Sequence, residues 1–218
     1  MTTERTIATG GLRERKKQRT RDALVRSALE LFAEKGYDRT TVDEIADTVD
    51  VSQRTFFRYF ANKEEVAFAV QEEAESHFLA AVLARPATEA PLEALRRAVL
   101  ESWDNIGEAI QEIIPLELHM RTYRMIECTP ALLAVHLRRS TELEERIARE
   151  IARREGLDVD TDPRPRVVVA AFSGVMRMAG QLWGAGQDCS VDSIRDITAA
   201  HLDQLGPALA ANWRPDGR

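Results

Sequence analysis

Apolar residues along the first third of the chain recur with the spacing of short helices. Between Glu14 and Lys35, Leu24, Ala28, Leu31 and Phe32 stand at i, i+4, i+7 and i+8, the stripe of an amphipathic helix, and Gly36 follows as a left-handed stop. After Tyr37–Thr40, Thr41 and Glu44 have capping-box spacing, and Val42, Ile45, Ala46 and Val49 repeat on one face of a second helix. Asp50 and Val51 leave room only for a tight turn, where Asp tolerates the left-handed conformation. Ser52 then caps a third helix expected from Gln53 to Phe60, with Phe56 and Phe60 inward at i and i+4. Asn62 and Glu65 repeat the cap spacing and open a fourth helix, from Lys63 to about Leu83.

Beyond Leu83 the expected breaks are Arg85–Thr88, Pro115, Thr129–Pro130, Gly156 to Pro165, Gly184 to Ser190 and Gly206–Pro207. They delimit helices near Pro91–Ala109, Glu112–Glu127, Pro130–Glu155, Arg164–Trp183 and Val191–Trp213. No strand pattern and no internal repeat competes, so an all-α chain of about nine helices is expected. The run from Val167 to Met176 is apolar on every side. It is either a wholly buried central helix or one that shares its second face with a two-fold copy, pairing the last two helices of each chain.

Composition narrows the classes. With 44% hydrophobic and 30% charged residues over 218 positions, a sizeable core is affordable and wholesale disorder is not expected. No apolar run approaches the roughly 20 residues of a membrane span, and the amino terminus lacks the apolar segment of a signal peptide, so a soluble cytoplasmic protein is expected. Cys128 and Cys189 match no metal or redox spacing and read as reduced thiols in packed helices. His77, His119, His136 and His201 are scattered, and no nucleophile elbow or phosphate loop is present, so no catalytic residue, metal or cofactor is expected. The net charge of −6 conceals a segregation. Residues 1–26 hold eight Lys or Arg against Glu4, Glu14 and Asp22, leaving an acidic remainder. A basic end of this kind is either a solvated tail or an anion-binding arm that orders on phosphate.

Two short helices around a tight turn, the second exposing Gln53, Arg54 and Arg58, form a helix-turn-helix pattern, although helical hairpins also occur without DNA. The specific residues go further. Leu31-Phe32, Gly36, Thr40-Thr41-Val42, Ile45-Ala46, Val51-Ser52, Thr55-Phe56, Tyr59-Phe60 and Lys63-Glu64 stand in order and at the spacings of the TetR family of bacterial regulators, which the chain resembles from about Arg19 to Val70. The resemblance implies a flexible arm over 1–12, a helix-turn-helix domain over 13–62, a connecting helix over 63–85 and a ligand-binding and dimerisation domain over 86–218. It implies a DNA interface of Arg19, Thr41, Ser52, Gln53, Arg54, Thr55, Phe57, Arg58, Tyr59 and Lys63. Thr41, Tyr59 and Lys63 would hold backbone phosphate, and Gln53, Arg54 and Thr55 would reach base edges, where Arg suits guanine and Gln adenine. Phe57 replaces the family's frequent tyrosine and exchanges a phosphate hydrogen bond for apolar contact with a thymine methyl. Arg54 and Arg58 taken alone would be solvated helix charges, and Phe56 and Phe60 are core.

The segment Leu116 to Leu132, with Glu117, Arg121, Arg124-Met125 and Thr129-Pro130-Ala131-Leu132, followed by Arg177 and Trp183, resembles a subgroup described as binding acyl-CoA-like ligands. By side-chain chemistry the candidate pocket is Trp103, Met120, Arg121, Tyr123, Arg124, Phe172, Met176 and Trp183, with the two arginines on an anionic head group, unless Glu117 or Glu127 neutralises them, and the remainder as adaptable walls. Ordinary core packing is the competing account of the apolar members. The resulting expectation is a homodimer on double-stranded operator DNA, released by a lipophilic or acyl-CoA-like effector. The alternatives are a ligand-blind or partner-regulated DNA-binding dimer and a helical carrier or enzyme.

Overall fold

The computed structural model describes residues 4–188 and 190–210, leaving aside the side chains of residues 4–10, 106, 108 and 109. Among the described residues there are nine helices and no strand. They are α1 (Glu4–Lys35), α2 (Val42–Thr48), α3 (Gln53–Phe56), α4 (Lys63–Ala84), α5 (Pro91–Ile113), α6 (Leu116–Cys128), α7 (Pro130–Glu155), α8 (Arg164–Ala185) and α9 (Val191–Ala210).

Several boundaries differ from expectation for identifiable reasons. Helix α1 begins at Glu4 rather than Glu14 and takes in most of the expected arm. Gly11–Arg19 is exposed throughout, so no apolar stripe marks it. Helix-favouring Arg, Lys and Gln and a Gln18–Asp22 hydrogen bond of 2.8 Å carry the helix instead. Helix α3 is regular only to Phe56. The chain then tightens, with Arg58 N–H donating to Thr55 O at 3.2 Å and Tyr59 N–H to Phe56 O at 2.8 Å, each three residues back. The inner aromatic pair survives this change, since Phe60 N–H still reaches Phe56 O and the two ring centroids lie 5.8 Å apart. Helix α5 continues to Ile113, so only a short link at Pro115 separates it from α6. Helix α9 runs through the expected break at Gly206–Pro207 to Ala210; Trp213 lies outside the described residues. Cys128 is exposed rather than packed, and Cys189 lies outside the described residues.

The chain divides into two compact units, residues 1–71 with 110–126, and residues 72–109 with 127–218. The division does not follow the expected boundaries at 62 and 85, because α6 joins the helix-turn-helix rather than the body. Two arginines tie these segments together. Arg26 on α1 donates from Nε to Ile113 O at 2.9 Å and from Nη2 to Glu112 O at 3.2 Å, satisfying carbonyls at the end of α5. In return, Arg121 on α6 donates from Nη2 to Ala33 O at 2.8 Å, in the last turn of α1. Leu24, Ala28, Phe32, Ile45, Phe56, Phe60, Val66, Leu118 and Ile126 are all buried in this unit.

The second unit is built around Val82, Leu95, Val99, Ile147, Ile151, Val169, Phe172, Val175 and Leu202. Phe172 stacks on Phe78 with centroids 5.6 Å apart. Helix α8 buries Val169, Phe172, Val175, Ala179 and Trp183, while Val167, Met178 and Leu182 on its other side are 64%, 41% and 48% exposed. It is therefore not a wholly buried central helix. Contrary to expectation, α8 is long and apolar enough to cross a membrane by length and composition alone.

Candidate nucleic-acid interface

Three cues in the sequence position the helix-turn-helix. Thr41 caps α2 in a reciprocal box: its Oγ1 accepts from Glu44 N–H at 3.3 Å, while its own N–H donates to Glu44 Oε2 at 2.9 Å. Thr41 Oγ1 also donates to Glu44 Oε2 at 2.8 Å. The Lys35 ammonium meets the same carboxylate. Lys35 first, and then the Thr41 backbone and hydroxyl, hold Glu44 down at a pKa of about 2. Asp50 turns the chain with φ at 54°, the left-handed conformation expected there. Ser52 caps α3, accepting from Thr55 N–H at 3.2 Å, and the two hydroxyls lie 3.0 Å apart. At the start of α4, Asn62 Oδ1 accepts from Glu65 N–H at 2.9 Å and Glu65 Oε2 from Ala61 N–H at 2.7 Å.

Residues 52–60, the candidate recognition segment, have two faces. Phe56 and Phe60 are fully or nearly buried, whereas Ser52, Gln53, Arg54 and Arg58 are exposed and Phe57 shows half its surface. Thr55 and Tyr59 are half-buried at the edge, and the Arg58 guanidinium lies 5.2 Å from the Tyr59 ring centroid. Polar and cationic donors therefore project outward from an aromatic base, which is what groove reading requires.

Three residues expected at the DNA interface have their surroundings defined by the fold. The Thr41 hydroxyl is engaged in its cap. The Lys63 ammonium donates to Tyr37 O at 3.0 Å and Thr40 O at 3.4 Å and rests 4.1 Å from the Tyr37 ring centroid, tying α4 to the loop between α1 and α2. Arg19 is exposed but lies about 160° around α1 from Arg21. Arg21, which spacing alone does not single out, places its guanidinium 5.3 Å from the Phe60 ring centroid at the end of the recognition segment.

The comparisons agree with this geometry. The description "Bacterial regulatory proteins, tetR family" matches residues 24–70, and "MftR C-terminal domain" matches residues 89–210. The HTH-type transcriptional regulator TcmR of Streptomyces glaucescens is 46% identical over 95% of this chain and 92% of its own length. The chain belongs to the TetR family. A second relative, the putative mycofactocin biosynthesis transcriptional regulator MftR of Mycobacterium tuberculosis, is 30% identical over 82% of this chain and 88% of its own. A crystal structure of a putative TetR-family regulator from Syntrophomonas wolfei superposes with a TM-score of 0.60 at 17% identity, covering 90% of this chain and all of that one. As a TetR-family protein the chain is a DNA-binding transcriptional regulator rather than an enzyme or carrier. Among the described residues no group of three His, Cys, Asp or Glu is placed to hold a metal.

The residues expected to line an effector pocket fall into both units of this TetR-family fold. Met120, Arg121, Tyr123 and Arg124 belong to the first, and Trp103, Phe172, Met176 and Trp183 to the second. Arg121 is committed to Ala33 O, and Arg124 Nη2 lies 3.1 Å from Met120 Sδ. In the second unit, Trp103 and Met176 pack against the core around Phe172, and Trp183 Nε1 donates to Ser190 O at 3.3 Å. Trp103 Nε1 is buried with no hydrogen-bond partner among the described residues, an uncompensated donor inside an apolar wall. Neither the arginine staples nor the Lys63 clamp is visible in sequence, because each joins segments between 23 and 88 residues apart.

Proposed function

We propose that this TetR-family chain is a homodimeric repressor that reads a near-palindromic operator and leaves it when a small molecule occupies the second unit. The observation that carries the reading is the two-faced recognition segment, with Gln53, Arg54, Phe57 and Arg58 outward over buried Phe56 and Phe60. Gln53 and Arg54 are assigned to base edges, together with Thr55, and Phe57 to a thymine methyl. Ser52, Arg58 and Tyr59 are assigned to flanking phosphates. Thr41 and Arg19 join them by the resemblance, and Lys63 acts by holding the domain's loop.

One such segment spans only a few base pairs, so a two-fold partner is needed to read two half-sites about 34–36 Å apart. The bare apolar face of α8 supports that partner, and exposed Leu209 near the end of α9 supports the pairing of both last helices. The orphan Trp103 N–H among Phe172 and Met176 favours an effector with an apolar body and a hydrogen-bond acceptor. The lipophilic part of the expected acyl-CoA-like effector keeps its support, whereas the anionic part loses Arg121, already bonded to a carbonyl. Helix α4 begins in one unit and ends in the other, and is the assigned route from effector to DNA. A hundredfold release needs the effector to favour the non-binding state by only ~2.7 kcal/mol. The work is placed in the cytoplasm, beside bacterial DNA.

Selection of bound sequences from a random duplex pool tests the proposal. An enriched inverted repeat with half-sites about one helical turn apart supports it. A single unrepeated site, or no enrichment, overturns it.

A further inference from the structure

Helix α1 changes character along one line of its surface. Leu24 and Ala28 are buried; one and two turns earlier on the same line stand Thr20 and Lys17, then Lys16 and Arg13. Arg13, Lys16, Lys17 and Thr20 occupy i, i+3, i+4 and i+7, so three cations share one side of the helix. From Gly11 to Arg19 every residue is exposed, yet the backbone is continuously helical. Among the described residues Lys17 meets the exposed Glu14 carboxylate at 3.5 Å, a contact of the weakest kind. Arg15 lies across the helix and folds back onto Gly11 O at 3.2 Å.

The direction of this stripe is fixed by Arg21. Arg13, Lys17 and Arg21 form one i, i+4, i+8 row, and Arg21 sits over the Phe60 ring, where the recognition segment ends. At 1.5 Å per residue, Lys17 stands about 6 Å and Arg13 about 12 Å farther along the axis from that point.

We propose that Arg13, Lys16 and Lys17 form a rigid basic outrigger that grips duplex phosphates outside each half-site. It extends the footprint beyond each half-site without adding base specificity. The inference rests on the operator reading above, since the occupant is the duplex that the recognition segment engages. Charge decides for DNA: the stripe is cationic in a chain whose net charge is −6, and its register continues the side of α1 that packs into the helix-turn-helix unit.

The test uses the full-length chain and the operator duplex taken from the random pool, with flanks of either two or ten base pairs. Arg13→Ala, Lys16→Ala and Lys17→Ala are combined in one variant; because these side chains are exposed, its melting temperature should match the parent's. The parent should bind the long-flanked duplex roughly tenfold or more tightly than the short one. The variant should lose that preference, and the slope of log K against log salt should fall by about 0.9 for each phosphate no longer neutralised. A fall of at least about two slope units, with the flank preference gone, supports the outrigger. A smaller fall, a retained flank preference, or an Arg15→Ala slope change as large as that of Lys17→Ala overturns it. If the pool yields no inverted repeat, the operator reading fails separately, and the outrigger is then judged by the same slopes on random-sequence duplex.

Discussion

At the scale of single residues, the same type of side chain does different work according to its partner. Arg54 is exposed at the leading end of the recognition segment, and replacing it with Ala is expected to relax specificity at one or two base pairs by about 1–3 kcal/mol each. Competition between single-base variants of the selected operator measures this. Lys63, also cationic, has its ammonium on two carbonyls and an aromatic face. Lys63→Met should therefore lower folding stability by about 1–2 kcal/mol in chemical denaturation, with little change in the salt slope of binding. Sequence spacing finds both residues but cannot tell them apart, because the carbonyls that claim Lys63 belong to a distant loop. His119 shows the same dependence on packing. Burial on α6 holds its pKa at about 4 against an ordinary 6.5. The unfolded chain takes up a proton that the folded state resists, so stability should fall as pH drops from 6.5 towards 4 and level off below. A His119→Gln variant should show a flatter melting profile across that window.

At the scale of elements, legibility follows punctuation. Helix α7 is readable to the residue because Pro130 opens it and Gly156, with φ at 67°, closes it in the left-handed conformation. The start of α1 is not readable, since an unpacked helix needs no apolar period. The end of α3 is misplaced by spacing because Phe56 and Phe60 keep their i, i+4 relation through a tightened turn. The membership of α6 is hidden for another reason: hydrogen bonds from Arg26 and Arg121 to helix-end carbonyls leave no pattern in the chain. Each bond is partly solvent-exposed, so Arg26→Ala and Arg121→Ala should each cost about 1 kcal/mol by denaturant titration. Because they hold α5 and α6 to α1, the double variant should also weaken operator binding although neither residue is assigned a DNA contact. Unaltered affinity would show that this attachment is not needed for reading DNA.

At the scale of the whole molecule, the apolar face of α8 is the surface assigned to assembly in the proposal above. Glu in place of Val167, Met178 and Leu182 removes no buried side chain, so each protomer should fold while light scattering reports a monomer. Operator affinity should fall roughly tenfold or more, as two linked half-sites become one. A variant that stays dimeric would assign the partner surface elsewhere. The residue make-up of the two units has a practical consequence for anyone building hybrid regulators. A graft at a single junction after the fourth helix would leave residues 110–126 with the donor of the second unit, although these residues complete the compact unit that holds the helix-turn-helix. Such a chimera would inherit foreign counterparts of Ile113 and Arg121 beneath its own first helix. Successful recombination should therefore require, besides that junction, a crossover near each end of residues 110–126, so that the first unit travels whole.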